Sequence, residues 1–99
     1  MSVLVITKFS GDTATFRQGL EERTAEFQKV VGAAQAQGCL HHQFGIGDGF
    51  ALVVDEWESV EQFQQFFADP ELQAFIASTG VSPEPPEIIV AEALAVTKH

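Results

Sequence analysis

Residues 50–67 constrain the fold most, because a strand pattern there passes directly into a helix pattern. Residues 50–57 are rich in Val, Phe and Trp, the composition of a β-strand. Ser59, with Gln62 three residues later, has the spacing of a helix capping box. Apolar side chains then recur at helical spacing, at Val60, Phe63, Phe66 and Phe67. The segment therefore predicts a strand that leads straight into an amphipathic helix.

The predicted strand is apolar on both of its faces, since successive strand residues point to opposite sides. One face carries Phe50, Leu52 and Val54, and the other carries Ala51, Val53, Asp55 and Trp57. Such a strand needs an apolar cover on each side. The helices of this chain can supply one cover. A second copy, packed sheet against sheet in a two-fold homodimer, is the expected source of the other.

The remaining segments repeat the two patterns, in the order strand, helix, strand, strand, helix, strand. Strands are predicted at residues 2–9, 39–44, 50–57 and 88–96. One helix is predicted from residue 12 or 13 to residue 37, with Gly38 as its stop signal, and the other follows Ser59 and restarts at Asp69-Pro70. This order predicts an α+β ferredoxin-like fold, a split βαβ arrangement with a four-stranded antiparallel sheet and helices on one face. Residues 1–99 are expected to form this one domain.

Composition excludes several partners. The net charge is −9 and only five residues are Lys or Arg, so we expect no binding to nucleic acid or to an anionic membrane. No apolar run approaches the ~20 residues of a membrane span, and the N-terminus has no signal-peptide pattern. Cys39 is the single cysteine, which excludes an intramolecular disulfide and fits a reducing compartment. We therefore expect a cytoplasmic protein.

The adjacent histidines His41 and His42 are the candidate catalytic bases. They point to opposite faces of their strand, so only one can share a face with Asp55. A two-residue turn at 48–49 selects His42, whereas a five-residue loop at 45–49 selects His41. A histidine paired with Asp55 has the arrangement of a general base, because the carboxylate favours the charged imidazolium. The alternative is a hydrogen-bonded core or interface histidine.

The same residues make a poor metal site. A catalytic site normally has three protein ligands, and a His–Asp pair here has a third candidate only in Glu56, Glu92 or His99. Cys39 fits a small buried residue better than a ligand. We therefore predict no metal and no cofactor.

Trp57, Phe63 and Phe67 are the candidate ligand-binding residues. An aromatic wall suits a flat ligand, although phenylalanines on a helix face are also ordinary core residues. A cavity of about 300 Å³ or more, lined by histidine, Asp55 and Trp57, would favour ligand binding. A pocket filled by phenylalanines, Phe75 among them, would favour a role in assembly alone.

Three short motifs, at residues 38–40 (GCL), 55–59 (DEWES) and 69–72 (DPEL), resemble the antibiotic-biosynthesis-monooxygenase-like family of the dimeric α/β-barrel superfamily. The resemblance spans nearly the whole chain. It implies a homodimeric barrel, with a pocket between sheet and helices that Trp57 lines. Haem-degrading relatives use an asparagine on the first strand and a histidine on the second helix. This chain has no asparagine, and Phe66 and Phe67 occupy the helix positions, so haem degradation by that route is not expected.

Two functions follow from the residues and the resemblance. The first is a cofactor-independent monooxygenase of a small aromatic or polyketide-like compound. In it, His41 or His42 deprotonates a phenol so that the carbanion reacts with oxygen, and Trp57 positions the ring. The alternative is a non-catalytic dimeric barrel that binds a hydrophobic ligand or serves only assembly.

Overall fold

The computed structural model describes residues 2–94, which form one sheet and four helices. The strands are β1 (Val3–Ser10), β2 (Cys39–Gly47), β3 (Phe50–Trp57) and β4 (Glu87–Glu92). The helices are α1 (Thr13–Glu22), α2 (Thr24–Ala36), α3 (Val60–Phe67) and α4 (Pro70–Ala77). The strand order is β2-β3-β1-β4, and every neighbouring pair is antiparallel. The predicted α+β ferredoxin-like fold is confirmed.

The predicted helix starts are confirmed by their capping contacts. The Ser59 hydroxyl accepts a hydrogen bond from the Gln62 backbone N–H at 3.2 Å, which satisfies one free donor at the start of α3. Asp69 does the same for the N–H of Glu71 at 2.9 Å, and Pro70 occupies the first position of α4. These caps make α3 and α4 follow β3 with only short connections.

The single helix predicted between residues 12 and 37 is wrong, because the structure has two helices that meet at Arg23. Two contacts explain the break, one local and one with a distant segment. The Thr24 hydroxyl donates to the Leu20 carbonyl at 2.9 Å, a back-bond that competes with the helical pattern. The Arg23 guanidinium contacts Ser78 at the end of α4, at 3.0 Å from its hydroxyl. Arg23 therefore takes a non-helical conformation and ties α1–α2 to α4.

Two predicted strands differ in length from the observed ones. β2 continues to Gly47, beyond the predicted end at residue 44, because the hairpin turn is as short as two residues. β4 spans Glu87–Glu92 instead of the predicted 88–96. Residues 95 and 96 lie outside the described residues, and so does His99.

The helices cover one face of the sheet. The core on that side has two groups of buried side chains, which are Val5, Ala34, Cys39, Trp57 and Phe63, and Phe16, Phe27 and Ala51. The opposite face, called the free face below, leaves apolar side chains uncovered: Leu4 is 40% exposed, Val54 39% and Ile89 48%. Across residues 2–94, none of the helices has the length and apolar content to cross a membrane.

Candidate functional site

The β2–β3 turn decides which histidine joins the site. Gly47 pairs with Phe50, which leaves a two-residue turn in which Gly49 takes φ +80°, a value that favours glycine. From this turn the register places His42 directly opposite Asp55. The alternative five-residue loop is therefore wrong, and His42 lies on the helix-covered face.

His41 does not join this site, so its place among the candidate bases is corrected. It lies opposite Glu56 on the free face, where its side chain is 81% exposed. Its Nε2 is 3.9 Å from a Glu56 carboxylate oxygen, a distance for a weak ion pair. The cause is the alternation of strand side chains, which sends adjacent residues to opposite faces.

Asp55 is the hub of the site. Its Oδ1 lies 2.6 Å from His42 Nδ1, and its Oδ2 accepts a hydrogen bond from the Trp57 indole N–H at 3.2 Å. The carboxylate is buried, at 6% exposure, so each of these contacts replaces water that the charged group has lost. An ionised carboxylate only accepts hydrogen bonds. The neutral imidazole therefore carries its proton on Nδ1 and keeps a lone pair on Nε2.

The Nε2 atom of His42 is unusual because it is buried without a hydrogen-bond partner among the described residues. His42 lines a cavity of about 80 Å³ between the sheet and the helices, called the inner chamber below. Asp55, Phe63, Phe67 and Phe75 also line it. A buried polar atom without a partner is rare in a folded protein and calls for an explanation. A ligand hydrogen-bonded to Nε2 in the inner chamber would supply one.

Trp57 lies between sheet and helices, as the parity of β3 predicts, and is completely buried. Its ring centroid is 5.8 Å from that of Phe63 and 5.3 Å from that of Phe66. The residues that line the inner chamber include both phenylalanines but not Trp57. Trp57 therefore lies behind the residues that line the inner chamber, where its indole N–H donates a hydrogen bond to Asp55. The resemblance implies that Trp57 lines the pocket, whereas in this structure Trp57 is not among the residues that line the inner chamber.

Phe63 and Phe67 do line the inner chamber, with their rings stacked 5.4 Å apart. Its volume falls well below the roughly 300 Å³ at which small-molecule pockets begin. Phe75 lines it too, so the structure combines the polar residues expected of a binding site with the aromatic filling expected of a core.

Cys39 joins this site, which the sequence did not predict. Ligand atoms of Cys39, His42 and Asp55 all lie within 4.8 Å of one another. A β-bulge between Cys39 and His41 brings the cysteine to the same face as His42, although regular alternation would separate them. No pattern in the sequence marks that bulge.

The Cys39–His42–Asp55 group has donors of the kinds that bind zinc. Hydrogen bonds already hold all three, because the Cys39 thiol donates to the His41 carbonyl at 3.1 Å and Asp55 pairs with His42. Burial, with the nearby negative charge of Asp55, raises the pKa of the Cys39 thiol to about 11. The thiol therefore stays protonated near neutral pH. Of the other ligands considered, Glu56 lies on the free face, and Glu92 is exposed on β4.

The fold was compared with known proteins. No family model and no curated protein matches the sequence. Among solved structures, Rv0793 from Mycobacterium tuberculosis is 18% identical, with a TM-score of 0.66 over 99% of this chain and 100% of that one. SnoaB, a cofactor-independent oxygenase from Streptomyces nogalater, is 15% identical, with a TM-score of 0.67 over 99% and 98%.

A third similar structure contains a ligand. It is a monooxygenase from the gene ActVA-Orf6 of Streptomyces coelicolor in complex with nanaomycin D. It is 20% identical to this chain, with a TM-score of 0.70 over 99% of this chain and 92% of that one. At these identities the likeness establishes the fold. The chain therefore has the ferredoxin-like fold of the antibiotic-biosynthesis-monooxygenase-like proteins.

Proposed function

We propose that the chain binds a small aromatic or polyketide-like compound in the inner chamber and oxidises it as a cofactor-independent monooxygenase. The observation that carries this proposal is the Nε2 of His42 beside the inner chamber, buried without a hydrogen-bond partner in residues 2–94. Asp55 accepts the Nδ1 proton of the same ring at 2.6 Å, which leaves the lone pair of the neutral imidazole on Nε2. A histidine held in this tautomer can act as a general base towards a substrate that donates a proton to Nε2.

The base needs a substrate with a phenolic hydroxyl. The hydroxyl donates to His42 Nε2 and its proton moves to that nitrogen, while Asp55 stabilises the imidazolium that forms. The rest of the wall is mainly apolar, with Phe63, Phe67 and Phe75 around the ring. Such surroundings favour a flat aromatic molecule.

The oxidation then proceeds with oxygen as the only co-reactant. The substrate reacts as its enol tautomer, in which the ring methylene R₂CH₂ has become a CH and the conjugated carbonyl has become the phenolic hydroxyl. Loss of that O–H proton to His42 gives an anion with negative charge on the former methylene carbon, which forms a C–O bond with oxygen. The imidazolium returns its proton to the peroxide oxygen, which gives a hydroperoxide. Loss of water converts this to a carbonyl, so that R₂CH₂ and O₂ give R₂C=O and H₂O. His42 is regenerated as a neutral base.

The comparisons support this proposal through shared fold. One of the similar structures is a monooxygenase in complex with nanaomycin D, and another is a cofactor-independent oxygenase. Both chains are aligned over nearly the whole length of this one. Function resides in the site and not in the fold, so the weight of the proposal rests on His42 and Asp55.

We also propose a homodimer in which the free faces of two sheets pack together into a barrel. Leu4, Val54 and Ile89 support it, because they are apolar, partly exposed and on one face of three adjacent strands. Exposed apolar patches of this kind mark contact surfaces. We propose a cytoplasmic location as well, which the free thiol of Cys39 supports.

The small volume of the inner chamber favours a second candidate, a non-catalytic barrel that binds a hydrophobic ligand or serves only assembly. A volume of about 80 Å³ accommodates a few water molecules, since one water needs roughly 10–15 Å³. A tricyclic substrate must therefore displace aromatic side chains. The two candidates differ in whether a phenol is turned over.

Oxygen uptake with dithranol, a tricyclic hydroxyanthrone, separates them. We expect the wild-type protein to convert its methylene to a carbonyl faster than the buffer background. His42→Gln should lower kcat by about 10²–10⁴-fold, the contribution of a general base. His41→Gln is the matched control and should keep the wild-type rate, because His41 lies on the free face. No uptake above background, or equal loss in both variants, would contradict the proposal.

A further inference from the structure

The side chain of Phe67 lies between the inner chamber and two larger surface cavities. The first, called the outer groove below, has a volume of about 620 Å³ and lies between the end of α4 and the connector at residues 81–86. The second has a volume of about 230 Å³ and lies between α3 and β4. Within the described part of the chain, Phe67 is the residue that lines all three.

Phe67 is also part of the partition between the inner chamber and the outer groove. Four residues line both the inner chamber and the outer groove, namely Phe9, Phe67, Ile76 and Val81. Phe9 is buried in the central strand β1, and the Val81 backbone is bridged to Gly11. Ile76 lies within α4. Phe67 is the last residue of α3 and only partly buried, so a change of its side-chain rotamer opens the partition without breaking the sheet or a helix.

The chemistry of the two spaces differs. The inner chamber presents the Nε2 of His42, to which no described residue is hydrogen-bonded, while both carboxylate oxygens of Asp55 are already hydrogen-bonded. The outer groove is lined mostly by apolar side chains, including Pro83, Pro85 and Pro86. Glu84 is the one ionisable residue among the described residues that line the outer groove, and its negative charge repels an anionic group. A ligand that spans both therefore needs one hydroxyl at one end and a neutral, apolar extension at the other.

We propose that the ligand is an elongated, neutral phenol whose hydroxylated ring occupies the inner chamber and whose apolar extension lies in the outer groove, with Phe67 as the gate between them. This inference rests on the proposed function of His42. The volumes support it, because the outer groove falls within the roughly 300–1,000 Å³ of small-molecule sites and the inner chamber alone does not.

A series of para-alkylphenols tests the inference in the wild-type protein. Phenol and its para-ethyl, para-butyl and para-hexyl derivatives are titrated by calorimetry, with the emission of the sole tryptophan, Trp57, as a second readout. We expect affinity to rise by about fourfold for each added methylene, which corresponds to ~0.8 kcal/mol. Hexylbenzene lacks the hydroxyl and should bind more weakly than para-hexylphenol.

Variants of α4 locate the extension. Ala77 is exposed and lines the outer groove, so Ala77→Phe fills the groove with little effect on folding. We expect it to weaken binding of para-hexylphenol by about tenfold or more and to leave phenol unchanged. Ala74→Phe is the matched control, because Ala74 is exposed on the same helix and lines none of the three cavities.

The gate is tested by Phe67→Ala and by the milder Phe67→Leu, in case the first variant does not fold. Both should strengthen binding of para-hexylphenol relative to phenol, because only the longer ligand requires Phe67 to stay displaced while it is bound. Equal effects of Ala77→Phe and Ala74→Phe, or equal effects of the gate variants on both ligands, would overturn the inference while leaving the role of His42 intact. If His42→Phe left the preference for phenol over toluene unchanged, the proposed function itself would fail.

Discussion

Replacing Asp55 with asparagine should reverse the tautomer of His42 while keeping the site assembled. Asp55 accepts from the Trp57 indole N–H and from His42 Nδ1. The indole nitrogen can only donate, so the single amide oxygen of the asparagine must face Trp57. Its NH₂ group then faces His42, whose Nδ1 must become the acceptor. The proton of the neutral imidazole moves to Nε2, and the base in the inner chamber is lost.

The size of the stability change follows from the same contacts. Asp55→Asn keeps both hydrogen bonds but makes them neutral, and a bond to a charged group exceeds a neutral one by about 1 kcal/mol. Two such bonds give a loss of no more than about 2 kcal/mol in the free energy of unfolding. Asp55→Ala instead leaves two buried polar groups without a partner, at about 1–3 kcal/mol each. We therefore expect Asp55→Ala to lose roughly 2–6 kcal/mol.

The assay combines denaturant unfolding, nitrogen NMR of the imidazole and turnover of dithranol. We expect Asp55→Asn to show Nε2 protonated and Nδ1 unprotonated, the opposite of the wild type, with kcat lower by about 10²–10⁴-fold. Glu56→Gln is the control, since Glu56 is next in the chain but lies on the free face. An unchanged tautomer in Asp55→Asn would refute the reasoning, as would equal stability losses in the asparagine and alanine variants.

Two further predictions concern the thiol and the free face. The raised pKa of Cys39 predicts that the thiol reacts slowly with Ellman's reagent in the native state. The same shift contributes to the free energy of unfolding below the ordinary thiol pKa of 9.0, and this contribution is lost as the pH rises towards about 11. Cys39→Ala should remove that loss above pH 9.0, and a native thiol that reacts as fast as the unfolded one would contradict it. Sedimentation should show a wild-type dimer, because an interface that buries roughly 800 Å² of apolar area would contribute about 20 kcal/mol before association costs. Val54→Asp should give a monomer and the exposed control Ala33→Asp a dimer; a stable wild-type monomer at micromolar concentration would exclude the interface.

The sequence predicts the elements of this fold well where local chemistry decides them. Helix starts and the hairpin turn depend on a few neighbouring residues. Ser59 and Asp69 accept hydrogen bonds from free backbone N–H groups at helix starts, and Gly49 takes the positive φ that the turn requires. The break at Arg23 escaped prediction because it depends partly on Ser78, a residue 55 positions away. A contact between distant segments leaves no periodic pattern.

The candidate site was predictable only as far as the hairpin fixes it. Once the turn at residues 48–49 is given, alternation alone places His42 beside Asp55. The residues that line the cavity were harder to predict from the sequence. Trp57 and Phe66 are both aromatic and near the pocket, yet of these two only Phe66 lines it. Side-chain packing decides which of two such rings reaches the cavity, and packing is not encoded in spacing.

The bulge after Cys39 has a consequence for how β2 can change. One residue, Leu40, absorbs the irregularity, with its side chain 46% exposed. The strand is thereby divided into two independently phased parts, one anchored to the turn and one anchored to α2. Deleting Leu40 would remove the bulge and leave Cys39 two positions from His42, so both would keep the helix-covered face in a regular ladder with β3. Substituting Leu40 also changes neither phase, so the face that Cys39 and His42 share does not depend on the Leu40 side chain.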